Sequence, residues 1–127
     1  MPLLLPRPTD AELAILRVLW DRGPATVRQV HEALAETRET GYTTTLKLMQ
    51  IMADKGLVTR DESSRTHVYA ARLTQGETQR QLVSDLLDRA FGGSAAALVL
   101  QALRAGETSA DDLRQIQELI DTHRGEQ

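Results

Sequence analysis

A mostly helical fold carrying one small β-ribbon is predicted by three observations in this sequence. Capping boxes at Thr9, Thr26 and Thr74 each open a stretch whose apolar residues recur at helical spacing. Between the second and third of these, the segment YTTTLKLMQIMADKG (42–56) has the same period and ends in a glycine. After that glycine, two short alternating runs flank a polar turn, the pattern of a hairpin. The chain is 127 residues long, 41% apolar and 26% charged, the size and composition of one domain or a domain with an appendage.

In Thr9-Asp-Ala-Glu12 the Thr hydroxyl can accept from the Glu backbone N–H while the Glu side chain reaches back to the Thr N–H. The helix it opens runs to about residue 22 and is expected to bury Leu13, Leu16, Leu19 and Trp20, with Ile15 alongside, before Gly23-Pro24 stops it. Thr26-Val-Arg-Gln29 repeats the box and opens a helix to about residue 36, with Val27, Val30, Ala33 and Leu34 apolar. A polar TRETG (37–41) leads into the third helix, where Thr45, Leu48, Met49 and Met52 form a core-facing stripe. Its opposite side carries Thr43, Lys47, Gln50 and Asp54, with Thr44 beside them. A face that begins with hydroxyls and a lysine suits base edges and phosphates. Thr can exchange hydrogen bonds with a base, and Lys reaches a phosphate or a guanine edge.

Gly56 caps this helix, residues 57–60 read as a strand, 61–65 as a polar turn and 66–70 as the return strand with Val68 and Ala70 on one face. Two short helices, a third amphipathic helix and then a ribbon make a winged helix-turn-helix. The turn would bring Ser63, Ser64, Arg65 and His67 against a phosphate backbone; otherwise it is a solvated hairpin.

The charge distribution fits unevenly. The formal net charge is −3, but residues 1–73 hold ten Lys/Arg against nine Asp/Glu, while residues 74–127 hold five against nine. The acidic balance therefore belongs to the tail, and the middle of the chain is mildly basic. With no Cys, a disulfide framework, a thiolate metal site and a cysteine nucleophile are all excluded. The three His lie on different predicted elements without companions at ligand spacing, and Gly92-Gly93 lacks the strand a phosphate loop needs. No catalytic residue, metal or cofactor is expected. The N-terminal MPLLLPRP lacks a cationic start and is a poor signal peptide, and the uncharged stretch 92–103 is too short to span a bilayer. A cytoplasmic, non-membrane protein is expected.

The segments ELAILRVLW (12–20), GPATVRQVHEAL (23–34), YTTTLKLMQIMADKGLV (42–58) and HVYAA (67–71) together resemble the penicillinase-repressor family, the BlaI/MecI/CopY type. The resemblance covers nearly the whole chain. It implies a dimeric winged-helix repressor on a double-stranded DNA operator, with Thr43, Thr44 and Lys47 in the major groove. A winged-helix module that binds protein through the same polar face is the competing reading. Direct metal sensing, as in the copper-responsive branch, depends on a C-terminal cysteine cluster that this chain lacks.

The tail supports a dimer on separate grounds. After Thr74-Gln-Gly-Glu77 come Leu82, Val83, Leu86, Leu87, Ala90 and Phe91 at helical spacing. Beyond the Gly92-Gly93 break, SAAALVLQAL (94–103) is apolar almost all round, with Leu98, Leu100 and Leu103 in it. Ser109 then caps a helix bearing Leu113, Ile116, Leu119 and Ile120. Residues 74–127 can barely enclose so apolar a helix. Either these helices fold back on the winged domain, or a second copy of the tail covers them. The second is the economical solution, giving a winged-helix domain over 1–73 and a helical dimerisation domain over 74–127. In the family a sensor-activated protease cuts an Asn–Phe bond in this tail. The matching bond here is Gln101–Ala102, where neither residue type is kept. The departure implies a partner protease with a different pocket, or release by another signal.

Overall fold

The computed structural model describes residues 6–125. Most of the MPLLLPRP segment considered as a signal lies outside them. The element order is α1 (Asp10–Arg22), α2 (Val27–Ala35), α3 (Tyr42–Lys55), β1 (Val58–Asp61), β2 (Val68–Ala71), α4 (Gln75–Ala90), α5 (Ala95–Ala105) and α6 (Ala110–Gly125). The chain divides into two compact units between Ser84 and Asp85, inside α4.

In the first unit both expected capping boxes form. Thr9 Oγ1 accepts from the Glu12 N–H at 3.2 Å, and the Glu12 carboxylate accepts from the Thr9 N–H at 2.9 Å. Thr26 and Gln29 repeat the exchange at 3.2 and 3.0 Å. Each box satisfies two N–H groups that the helix itself leaves unpartnered. The third helix has no such cap, since Gly41 carries no side chain; the buried Thr45 hydroxyl instead donates back to the Gly41 carbonyl at 3.3 Å. Gly56 ends α3 at φ +83°, with the Leu57 N–H closing on the Met52 carbonyl at 2.9 Å.

These helices pack around one core: Ile15, Leu16 and Leu19 of α1, Val27, Val30 and Leu34 of α2, Met49 and Met52 of α3, and Leu57, Val58 and Tyr69 of the ribbon, with Ala25. Burying each of the larger side chains contributes about 1.5–3 kcal/mol. The expected α1 stripe is corrected by a fraction of a turn. Ile15 is at the centre and Glu12 is buried, whereas Leu13 and Trp20 are only half-buried. Glu12, Ile15, Leu16 and Leu19 form the inward set at i, i+3, i+4 and i+7; a charged Glu hid its first member. Trp20 sits at the margin because its indole N–H donates to the Leu73 carbonyl at 3.0 Å, closing the ribbon's exit onto α1.

The ribbon is antiparallel, pairing Val58 with Ala71 and Arg60 with Tyr69. Its inward residues are Val58 and Tyr69, both buried, while Val68 and Ala70 lie on the half-buried side. Tyr69 also makes a reciprocal bridge to Ala25 in the α1–α2 turn, with N–H to O distances of 2.8 and 2.9 Å. The wing is thereby stitched to the helix-turn-helix at its Arg60–Tyr69 pair. The start of α4 belongs to this unit as well: Thr78 is buried, and the Gln81 amide donates to the Pro6 carbonyl at 3.2 Å.

The second unit holds the end of α4, then α5 and α6. The Gly93 N–H returns to the Leu87 carbonyl at 2.8 Å, and both glycines of the break take positive φ, +54° and +82°. Ser94 caps α5 through the Ala97 N–H, and Ser109 and Asp112 form a box at the start of α6. No residue of α5 or α6 is fully buried within the chain.

Candidate nucleic-acid interface

The core stripe of α3 fixes what its other side offers. Because Thr45, Met49 and Met52 point inward, Tyr42, Thr43, Thr44, Lys47 and Gln50 are all exposed. From Tyr42 to Gln50 this face has no acidic residue. The first acid, Asp54, comes in the last turn. Among the described residues no carboxylate lies within ion-pair distance of Lys47. The face therefore presents a phenol, two aliphatic hydroxyls, an amide and a free ammonium along about two turns of helix.

The wing brings part of the expected set to the same place. Arg65 and His67 line a cleft of about 520 Å³ together with Gln50 and Tyr42 of α3 and Arg28 of α2. The lining contains no Asp or Glu. Ser64 does not join it; its hydroxyl donates to the Thr66 carbonyl at 2.9 Å and shapes the turn. Asp61 is likewise occupied. Hydrogen bonds from Ser63, including its backbone N–H at 2.9 Å, hold the Asp61 carboxyl below its ordinary range. His67 is half-buried, with Glu62 3.9 Å away. Arg60 is held above its usual value by its hydrogen bond with Tyr69 and by the Glu62 charge. The tip's acids are thus turned toward its own cations and backbone, leaving Arg65 exposed.

Sequence reasoning passed over one cluster. The Tyr42 ring meets His31 edge-on, with centroids 5.7 Å apart at 83°, and the Arg28 guanidinium lies 5.7 Å from the same ring. His31 Nδ1 is buried without a hydrogen-bond partner. The signal was available: Arg28 and His31 are three residues apart and share a face of α2.

For the tail, Leu86, Leu100, Leu103, Leu113 and Ile120 are exposed and Phe91, Leu98 and Ile116 half-buried. Leu100, on α5, is 54% exposed. Gln101 and Ala102 are exposed on α5, inside its helical hydrogen-bond ladder. No group of His and acidic residues able to hold a metal occurs among the described residues. Nor is any single helix among them long and apolar enough to cross a membrane.

Known proteins are similar to this chain in sequence and in fold. A family described as "Penicillinase repressor" matches residues 8–122. The chain is 42% identical over 113 residues to "Transcriptional regulator BlaI" of Mycobacterium tuberculosis (strain CDC 1551 / Oshkosh), covering 87% of this chain and 82% of that protein. It is 20% identical over 120 residues to the "Penicillinase repressor" of Bacillus licheniformis, covering 94% of each. Among solved structures, the "Solution structure of the DNA binding domain of the repressor BlaI" matches with a TM-score of 0.52 at 22% identity, over 58% of this chain and 90% of that one. At that identity the likeness speaks for the winged-helix fold.

Proposed function

This chain belongs to the penicillinase-repressor family, and from that premise we propose that it is a DNA-binding transcriptional repressor that occupies its operator as a homodimer in the cytoplasm. Members of the family are transcriptional regulators, not enzymes, and a DNA-binding repressor displaces the protein-interaction module as the reading of this fold. The observation that carries the reading is the acid-free, exposed face of α3 from Tyr42 to Gln50. Thr43, Thr44 and Gln50 are suited to base edges in the major groove, and Lys47 to a phosphate or a guanine edge. Arg65 follows the backbone from the wing, with His67 beside it and Ser64 shaping the turn. The two-unit division supports separate DNA-binding and dimerisation parts. In the second, α5 exposes Val99, Leu100 and Leu103 to water, and a second copy laid on Leu86, Phe91, Leu98, Leu100, Leu103, Leu113, Ile116 and Ile120 would cover an apolar surface that a lone chain leaves wet. A two-fold dimer then reads two half-sites about one helical turn apart.

A gel shift with the duplex upstream of the protein's own gene tests the reading. A retarded band that survives a large excess of scrambled competitor is the expected result. Equal competition by scrambled and specific duplex would overturn it.

A further inference from the structure

The Arg28–Tyr42 pair borders the face of α3 on the α2 side, within the same cleft as Arg65. Arg28 stands in the first turn of α2, exposed, with no carboxylate within ion-pair distance among the described residues. Its guanidinium carbon lies 5.7 Å from the ring centroid of Tyr42, the first residue of α3. His31 also packs against that ring, edge-on, with centroids 5.7 Å apart. A guanidinium over an aromatic face keeps its in-plane N–H donors free for a second partner, and that partner must be an acceptor. The cleft beside it, about 520 Å³, contains no acid and has Arg65 among its lining residues.

We propose that Arg28, seated on Tyr42, is a DNA-phosphate contact: α2 and the wing hold one stretch of backbone between Arg28 and Arg65, next to the bases that α3 reads. This rests on the repressor reading and deepens it. The stack fixes where the fork points, so part of the ordering cost of a long side chain is met before DNA arrives. A phosphate contact carries no base preference, so Arg28 sets affinity and register rather than sequence.

Fluorescence anisotropy of the full chain with an upstream duplex and a scrambled duplex, each over a range of salt, separates these roles. Arg28→Gln should weaken both duplexes by a similar factor, about tenfold at low salt, and reduce the salt slope by about one unit. Arg28→Lys should keep the slope but lose part of the affinity, because an ammonium cannot both fork and stack. Tyr42→Ala removes the platform and should approach Arg28→Gln, whereas Tyr42→Phe, which keeps the ring, should lie nearer the parent in salt slope. Parental slope and affinity in Arg28→Gln would overturn the proposal, as would a loss confined to the upstream duplex, which marks a base reader. Arg28→Lys equal to the parent would overturn the role of the stack. A parent that binds both duplexes equally would instead defeat the repressor reading, and the slope on the scrambled duplex would still decide on Arg28.

Discussion

Lys55, the last residue of α3, reaches across to Glu12 in the first turn of α1 and closes a 2.7 Å ion pair on a carboxylate that is almost wholly buried. The same carboxylate caps α1 through the Thr9 N–H. One acid therefore fixes the start of the first helix and the end of the helix offered to DNA. Burial alone would raise the Glu12 carboxyl, but the hydrogen bonds from Lys55 and Thr9 and the Lys55 charge outweigh it and hold the group below its ordinary value. Since the folded state binds this proton more weakly than the unfolded chain, the contribution is complete above the unfolded value of about 4.3 and fades as pH falls through the folded one. Glu12→Ala should cost about 1–2 kcal/mol at neutral pH, with a smaller difference from the parent in acid. Urea melts at pH 7 and pH 3.5 check this; an equal difference at both would detach Glu12 from the acid sensitivity.

Base reading by α3 predicts an asymmetry between two neighbours. Thr44→Ala should lower operator affinity by about 1–3 kcal/mol and spare scrambled DNA. If Lys47 holds a phosphate, Lys47→Ala should weaken both and take about one unit from the salt slope. Both are exposed, so circular dichroism should report an intact fold. Unchanged operator affinity in both variants would remove this helix as the reader.

The dimer surface is tested by Leu100→Asp, a charge at an exposed apolar position of α5. It should sediment as a monomer and lose most operator affinity, since one winged unit makes about half the phosphate contacts. A chain ending at Ser84 should do the same while keeping its fold, because it retains the buried Thr78 and the Gln81–Pro6 hydrogen bond. Dimers persisting in both would place the interface elsewhere.

Release from DNA can be followed by mass spectrometry of the protein from induced cells. Cleavage at Gln101–Ala102 would need α5 to open locally around a bond within its hydrogen-bond ladder. Ala102 gives a protease pocket almost no surface to hold. Intact chain is the expected product at this bond, whether release uses another signal or a protease of different specificity. A fragment ending at Gln101 would show that the family's cut is retained.

Local chemistry made most of this fold legible. Thr9, Thr26, Thr74 and Ser109 each name a helix start by themselves, because a cap and its N–H groups are neighbours in sequence. The α3 stripe was readable for a similar reason, its period being uninterrupted by charge. What failed was contact between distant residues. Glu12 reads from sequence only as the capping partner of Thr9; its burial and its bond to Lys55, 43 residues away, are not legible there. Tyr69 looked like one of several ribbon residues until Ala25 paired with it. The candidate site divided the same way. Thr43, Thr44, Lys47 and Gln50 could be found from one helix, whereas the Arg28–Tyr42 stack needed two helices brought together.

The reciprocal Ala25–Tyr69 bridge has a practical corollary for engineering. It anchors the paired strands to the helix-turn-helix, while residues 62–66 at the tip are exposed and bond within the hairpin, to one another and to Arg60, Asp61 and His67. Length and charge there can be varied with little penalty to folding, as exposed loop tips generally allow. Libraries of tips grafted onto unchanged strands would test whether grip on DNA can be tuned independently of the address proposed for α3.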